Sequence, residues 1–144
     1  MSKRESKSDG ATCILQGAEA ISQASNAARA FGTLEGGDED ELARLCIVVE
    51  ELVANLYDHG GLSENDKVEL RLASEASGIR VTIIDPGAPF DPWKASQTGQ
   101  PTERGAGAGI DIIKAWARFV GYRATPEGNQ LELLLPLRRK GCPT

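Results

Sequence analysis

Three clusters of residues in this sequence have the types and spacing to do chemistry. The first is Glu51-x-x-x-Asn55, with Asp58 and His59 close behind. In a helix, residues three and four apart share a face. Leu42, Leu45, Cys46, Val49, Leu52, Val53 and Leu56 recur at that spacing and form an apolar stripe. At about 100° per residue, Glu51 lies roughly 150–160° from the stripe centre at Val49, and Asn55 about 120°. Glu51, Asn55 and Asp58 are therefore expected as a polar ridge facing away from the sheet, with His59 on its flank. A solvated face explains such a ridge in an ordinary helix, and His59 alone reads as a helix-end residue. Two details point instead to the wall of a ligand cleft. Ile47 and Val48 flank the ridge where a solvated surface is polar, and Asn is a poor helix former. In a cleft, the amide oxygen of Asn55 suits a hard cation, and Glu51 can orient or deprotonate a nucleophile.

The second cluster is Asp85-Pro-Gly87, where the strand pattern Ile79-Arg-Val-Thr-Ile-Ile opens into a loop. A carboxylate there can accept a hydrogen bond from an exocyclic amine, and Gly87 lets a ligand approach the backbone. The same tripeptide is also ordinary turn chemistry. The third is Gly105-Ala-Gly107-Ala-Gly109 at the start of a helix. Free N–H groups and the positive end of the helix dipole make this a phosphate site in principle, and a hinge uses the same residues. A Walker loop is absent. The Rossmann fingerprint is excluded because Gln100–Arg104 is a loop and not a strand. Arg104 and Lys94 are basic loop residues within reach of phosphates, or plain surface charges.

The elements that must position these residues follow from the hydrophobic period. Ala11, Cys13 and Leu15 alternate as a short strand. Ala18 to Phe31 reads as a helix, ended by Gly36-Gly37. Asp38 or Asp40 caps the next helix, whose first turn is acidic and which runs to His59 before Gly60-Gly61. Val68, Leu70 and Leu72, then Ile79, Val81 and Ile83, alternate as a hairpin turning through Ser74–Gly78. Pro86 to Arg104 is a long loop of the kind that forms functional lids. A helix is expected from about Gly107 to Phe119, then a strand near Tyr122, a turn at Pro126–Asn129, and a strand through Leu131, Leu133, Leu135 and Leu137. The order β-α-α-β-β-loop-α-β-β predicts an α+β two-layer sandwich, with helices on one face of a mixed or antiparallel sheet. Residues 1–10 read as a flexible tail and 11–141 as one domain.

Composition excludes several classes. Among 144 residues, 16 are Lys or Arg and 21 are Asp or Glu, a net charge of −5. With a pI near 4.9, a nucleic-acid binder relying on phosphate neutralisation is not expected. No run approaches the roughly 18 apolar residues of a membrane span. The N-terminus lacks the pattern of a secretory signal. Cys13, Cys46 and Cys142 are odd in number and far apart, which fits a reducing cytosol and not a zinc site or disulfide framework.

A Glu-x-x-x-Asn helix, a strand ending in Asp-x-Gly, a long loop and a Gly-x-Gly at a helix start, in that order, resemble the GHKL, or Bergerat-fold, ATPases. The resemblance spans about residues 11 to 137. Glu50-Glu51-Leu-Val-Ala-Asn55-Leu-Tyr-Asp-His59-Gly resembles the N-box of the anti-sigma-factor serine kinases. Asp85-Pro-Gly-Ala-Pro-Phe-Asp91-Pro resembles their first glycine box, and Gly128-Asn129-Gln-Leu-Glu-Leu fits their ending.

The resemblance implies roles. Glu51 matches the catalytic base and Asn55 the Mg2+ ligand. Asp85 matches the adenine-recognising carboxylate, with Gly87 beside it. Gly107 and Gly109 match the second glycine box near the phosphates, preceded here by an additional Gly105-Ala106. Residues from about Asp91 to Ala106 match the ATP lid, and Asp58, His59 and Arg104 are further nucleotide-binding candidates. The implied activity is ATP-dependent phosphorylation of a Ser or Thr in an anti-sigma-factor antagonist (STAS) domain, with a sigma factor as second partner and a homodimer as the assembly. Two alternatives stay open: a module that binds ATP or a protein partner without phosphoryl transfer, and a switch kinase of the same fold that does not act on a sigma factor.

Overall fold

The computed structural model describes residues 10–89 and 106–138. Residues 1–9 of the expected N-terminal tail, residues 90–105 with Lys94, Arg104 and most of the expected lid, and the C-terminal end with Cys142 lie outside the described residues. Gly10, expected in the tail, opens the first strand, and Ala106, expected in the lid, opens the last helix. Strand β1 (Gly10–Gln16) leads through a single 3-10 turn into helix α1 (Ala20–Leu34) and helix α2 (Glu39–His59). Strands β2 (Lys67–Glu75) and β3 (Gly78–Asp85) follow, then helix α3 (Ala106–Trp116) and strands β4 (Arg118–Thr125) and β5 (Gly128–Pro136). The sheet order is β1-β2-β3-β5-β4, and every pairing is antiparallel. The architecture is the α+β two-layer sandwich of the Bergerat type, and the sheet is antiparallel, not mixed.

Alternation builds the core. Val68, Leu70 and Leu72 on β2, Ile79, Val81 and Ile83 on β3, and Leu131, Leu133 and Leu135 on β5 are all buried. Register places them side by side on the helix-facing surface, with Leu70 opposite Ile83 and Val81 opposite Leu133. From α2, the whole stripe from Leu42 to Leu56 is buried against it. Helix α2 packs on both α1 and α3. Accordingly its buried arc is wider than the stripe and takes in Val48 and Ala54.

Helix α2 starts where its sequence dictates. Asp38, not Asp40, is the N-cap: its carboxylate accepts from Glu41 N at 2.8 Å, and Glu41 Oε1 accepts from Asp38 N at 3.0 Å. The second oxygen of Glu41 accepts from Arg138 N at 2.6 Å, tying the exit of β5 to the same helix end. Asp38→Ala is expected to cost about 1 kcal/mol and to lower the melting temperature by about 3–5 °C in a thermal unfolding scan.

Several boundaries differ from expectation. Helix α1 begins at Ala20 because Gly17 (φ 76°) turns the chain first, and it continues past Phe31 to Leu34. Gly32 sits inside α1 at a close crossing, where a Cβ would lie 2.7 Å from Leu42 Cδ2. Helix α3 stops at Trp116, and Phe119 belongs to β4, paired with Leu133 of β5. There the ladder to β5 and the β-preference of the Phe-Val pair outweigh continuation of the helix. The last hairpin turns through Pro126-Glu127 alone, so Asn129 lies in β5 and not in the turn.

Candidate functional site

The site forms where the end of β3 meets the end of α2. Asp85 follows Ile79, Val81 and Ile83 at strand spacing, so its side chain points to the helix layer. It is 5% exposed. Gly87 N donates to Asp85 Oδ1 at 2.8 Å, and Asn129 Nδ2 donates to the same oxygen at 3.2 Å. Among the described residues, both donors converge on Oδ1. Burial pushes the Asp85 carboxyl above its ordinary value, and the bonds from Gly87 and Asn129 partly oppose this.

Gly87 is required by close approach. A Cβ there would stand 2.5 Å from Gly60 O and 2.8 Å from Leu62 Cδ2. Ala88 N donates to Gly60 O at 3.2 Å, and Gly60 N closes the last turn of α2 on Leu56 O at 2.9 Å. This stitch fixes the exit of β3 to the helix that carries Glu51 and Asn55. Asn55 lies five residues before Gly60, roughly 7–8 Å along the axis.

Of the expected polar ridge, the structure keeps only part outside the core. Asp58 is exposed and Glu51 half-buried, but Asn55 is 4% exposed. Its burial follows from the wider buried arc of α2, which includes Val48, two turns before Asn55 on the same side. Asn55 Nδ2 is the buried side-chain polar atom without a partner among the described residues. A buried donor left this way costs about 1–3 kcal/mol unless a partner satisfies it. The two ends of the carboxamide have the same shape, and a 180° rotation presents oxygen in place of nitrogen. An oxygen donor at this position fits a hard cation such as Mg2+.

Gly107 and Gly109 fall in the first turn of α3, whose first four N–H groups have no partner within the helix. Arg104 and Gly105 lie outside the described residues, and of His59 only the backbone, the last residue of α2, is described.

One residue of the site escaped sequence reasoning as a site residue. Asn129 is 3% exposed and directly opposite Asp85 in the ladder. The sequence places Asn129 in the turn, where Asn is ordinary, so only the ladder register reveals its position. Gly128 before it has φ 147°, and a Cβ there would stand 2.8 Å from Asp85 O.

Among the described residues, no helix is long and apolar enough to cross a membrane. A search of curated proteins found no match. A solved structure similar to this chain is the histidine kinase domain of the blue-light activated histidine kinase from Erythrobacter litoralis EL346. The two share 17% identity with a TM-score of 0.50, over 81% of this chain and 60% of that one, which shows the fold alone. The family model of the histidine kinase-like ATPase domain matches residues 16–135. That span runs from the end of β1 almost to the end of β5 and takes in Glu51, Asn55, Asp85 and Asn129, so this chain belongs to the histidine kinase-like ATPase domain family.

Proposed function

We propose that this protein is an ATP-dependent protein-serine/threonine kinase of the anti-sigma-factor type, acting in the cytoplasm on a STAS-domain antagonist and binding a sigma factor. The observation that carries the nucleotide reading is the buried Asp85 carboxylate, held through Oδ1, with Oδ2 proposed to accept from an amine. The exocyclic amine of adenine donates to such an oxygen. Asn55, buried with an orphaned amide end, is the residue to hold Mg2+. When bound, Mg2+ neutralises charge on the phosphoryl group being transferred. Glu51 lies one turn before Asn55 and stays half-buried. A carboxylate there accepts the proton of an incoming Ser or Thr hydroxyl and orients its oxygen for attack. The N-terminal N–H groups of α3 suit the phosphate end of the nucleotide.

Incubation with γ-labelled Mg-ATP and STAS-domain proteins from the same genome tests this. The expected product is an acid-stable phosphoester on a Ser or Thr of one STAS domain. An acid-labile phosphohistidine, or bound ATP with no transfer to any of them, contradicts the kinase assignment.

A further inference from the structure

We propose that Asn129 is a positioning residue that orients the Asp85 carboxylate so that Oδ2 selects a 6-amino purine over a 6-oxo purine. This inference rests on the nucleotide reading of the site. The terminal torsion of an Asp side chain is broad and roughly two-fold, so a single donor leaves the carboxylate free to turn. Gly87 N supplies one donor, at 2.8 Å. Asn129 supplies the second from the neighbouring strand, 3.2 Å from the same oxygen.

The amide group of Asn129 does more than satisfy Asp85. It also donates to Gly87 O at 2.9 Å and to Ala88 O at 3.2 Å. Its two hydrogens thus serve three acceptors, one on the last residue of β3 and two on the segment that leaves it. Ala88 is in turn bonded to Gly60 O at the end of α2. One side chain therefore ties the carboxylate, the turn behind it and the helix end into a single unit. The ladder register puts Asn129 opposite Asp85, and the absence of a Cβ at Gly128 lets β5 begin this close to Asp85 O. An apolar residue at 129 leaves Gly87 O and Ala88 O without this donor and frees the carboxylate to rotate. Oδ2 then no longer has a fixed direction, and the distinction between an amine and a carbonyl at the purine 6-position is lost.

Calorimetric titration of the full chain with Mg-ATP and with Mg-ITP, whose 6-position carries oxygen, tests this. Wild type is expected to prefer ATP by on the order of 10–100-fold. In Asn129→Ala the preference should fall below about threefold while the protein still melts cooperatively. Asn129→Ser, with one hydroxyl donor in place of two, should lie between. A cooperatively folded Asn129→Ala protein with the wild-type ratio overturns the inference and leaves the nucleotide reading intact. If Asn129→Ala does not fold, a wild-type ratio in Asn129→Ser overturns it equally. A wild type without affinity for ATP overturns the nucleotide reading and this inference with it.

Discussion

Asp85→Asn is expected to weaken ATP binding by on the order of 100-fold while making the nucleotide-free protein more stable at neutral pH. The binding loss comes from the hydrogen-bond pattern. Gly87 N and Asn129 Nδ2 both require an acceptor at the Oδ1 position. An Asn at 85 must place its oxygen there, so its NH2 takes the ligand-facing position and meets the adenine amine donor to donor. A hydrogen bond to a charged group is worth about 1.5–3 kcal/mol, or roughly 10–150-fold, before that repulsion is added. The stability gain follows from the raised carboxyl. Asp85 has its folded value above the unfolded one near 3.8, so the fold binds the extra proton between those two values. Its contribution is fully present below the unfolded value and is lost as pH rises through the folded one. The urea midpoint of Asp85→Asn should therefore exceed that of wild type at pH 7, and the gap should narrow on acidification towards pH 4. A gap that widens on acidification would contradict this account of the buried carboxyl.

Glu51→Gln is expected to lower phosphoryl transfer by about 10²–10⁴-fold, the range for loss of a general base. ATP affinity should stay within a few-fold of wild type, because in its proposed role Glu51 meets the incoming hydroxyl and not the purine ring. Gln keeps the size and helix propensity of Glu at this half-buried position, so folding is not at issue. Single-turnover transfer measured beside equilibrium ATP binding separates the two effects. Equal loss of binding and transfer would place Glu51 in nucleotide recognition instead of proton transfer.

The two proposed roles depend on structure that the sequence discloses unevenly. The Leu42–Leu56 stripe and the acidic start of α2 mark a helix without ambiguity, since no Gly or Pro interrupts the period before Gly60. The alternation of Val68–Leu72 and Ile79–Ile83 likewise fixes both face and register, because a slip by one residue would turn every apolar side chain to the open face. It also places Asp85 on the helix side, as the next odd position after Ile83. The boundary between α3 and β4 is different in kind. Trp116-Ala-Arg-Phe-Val has no Gly or Pro, and only pairing with β5 decides that Phe119 is strand. The sequence offers Asn55 as a candidate cation ligand but does not disclose its burial. Its burial depends on what packs beside α2, which the helix's own sequence does not contain. Asn129 reaches Asp85 across 44 residues of chain, through a ladder register that no local pattern specifies.

Asp85 and the α2–β3 junction are proposed to form a nucleotide pocket. Thermal unfolding of the wild type with and without Mg-ATP at about 100 times Kd tests it most directly. One-site binding at that level stabilises by about 2.7 kcal/mol, which for a chain of this size raises the melting temperature by on the order of 10 °C. That rise, largely absent in Asp85→Asn, is the result expected. An unchanged melting temperature at saturating Mg-ATP, or an equal rise in Asp85→Asn, would contradict the claim.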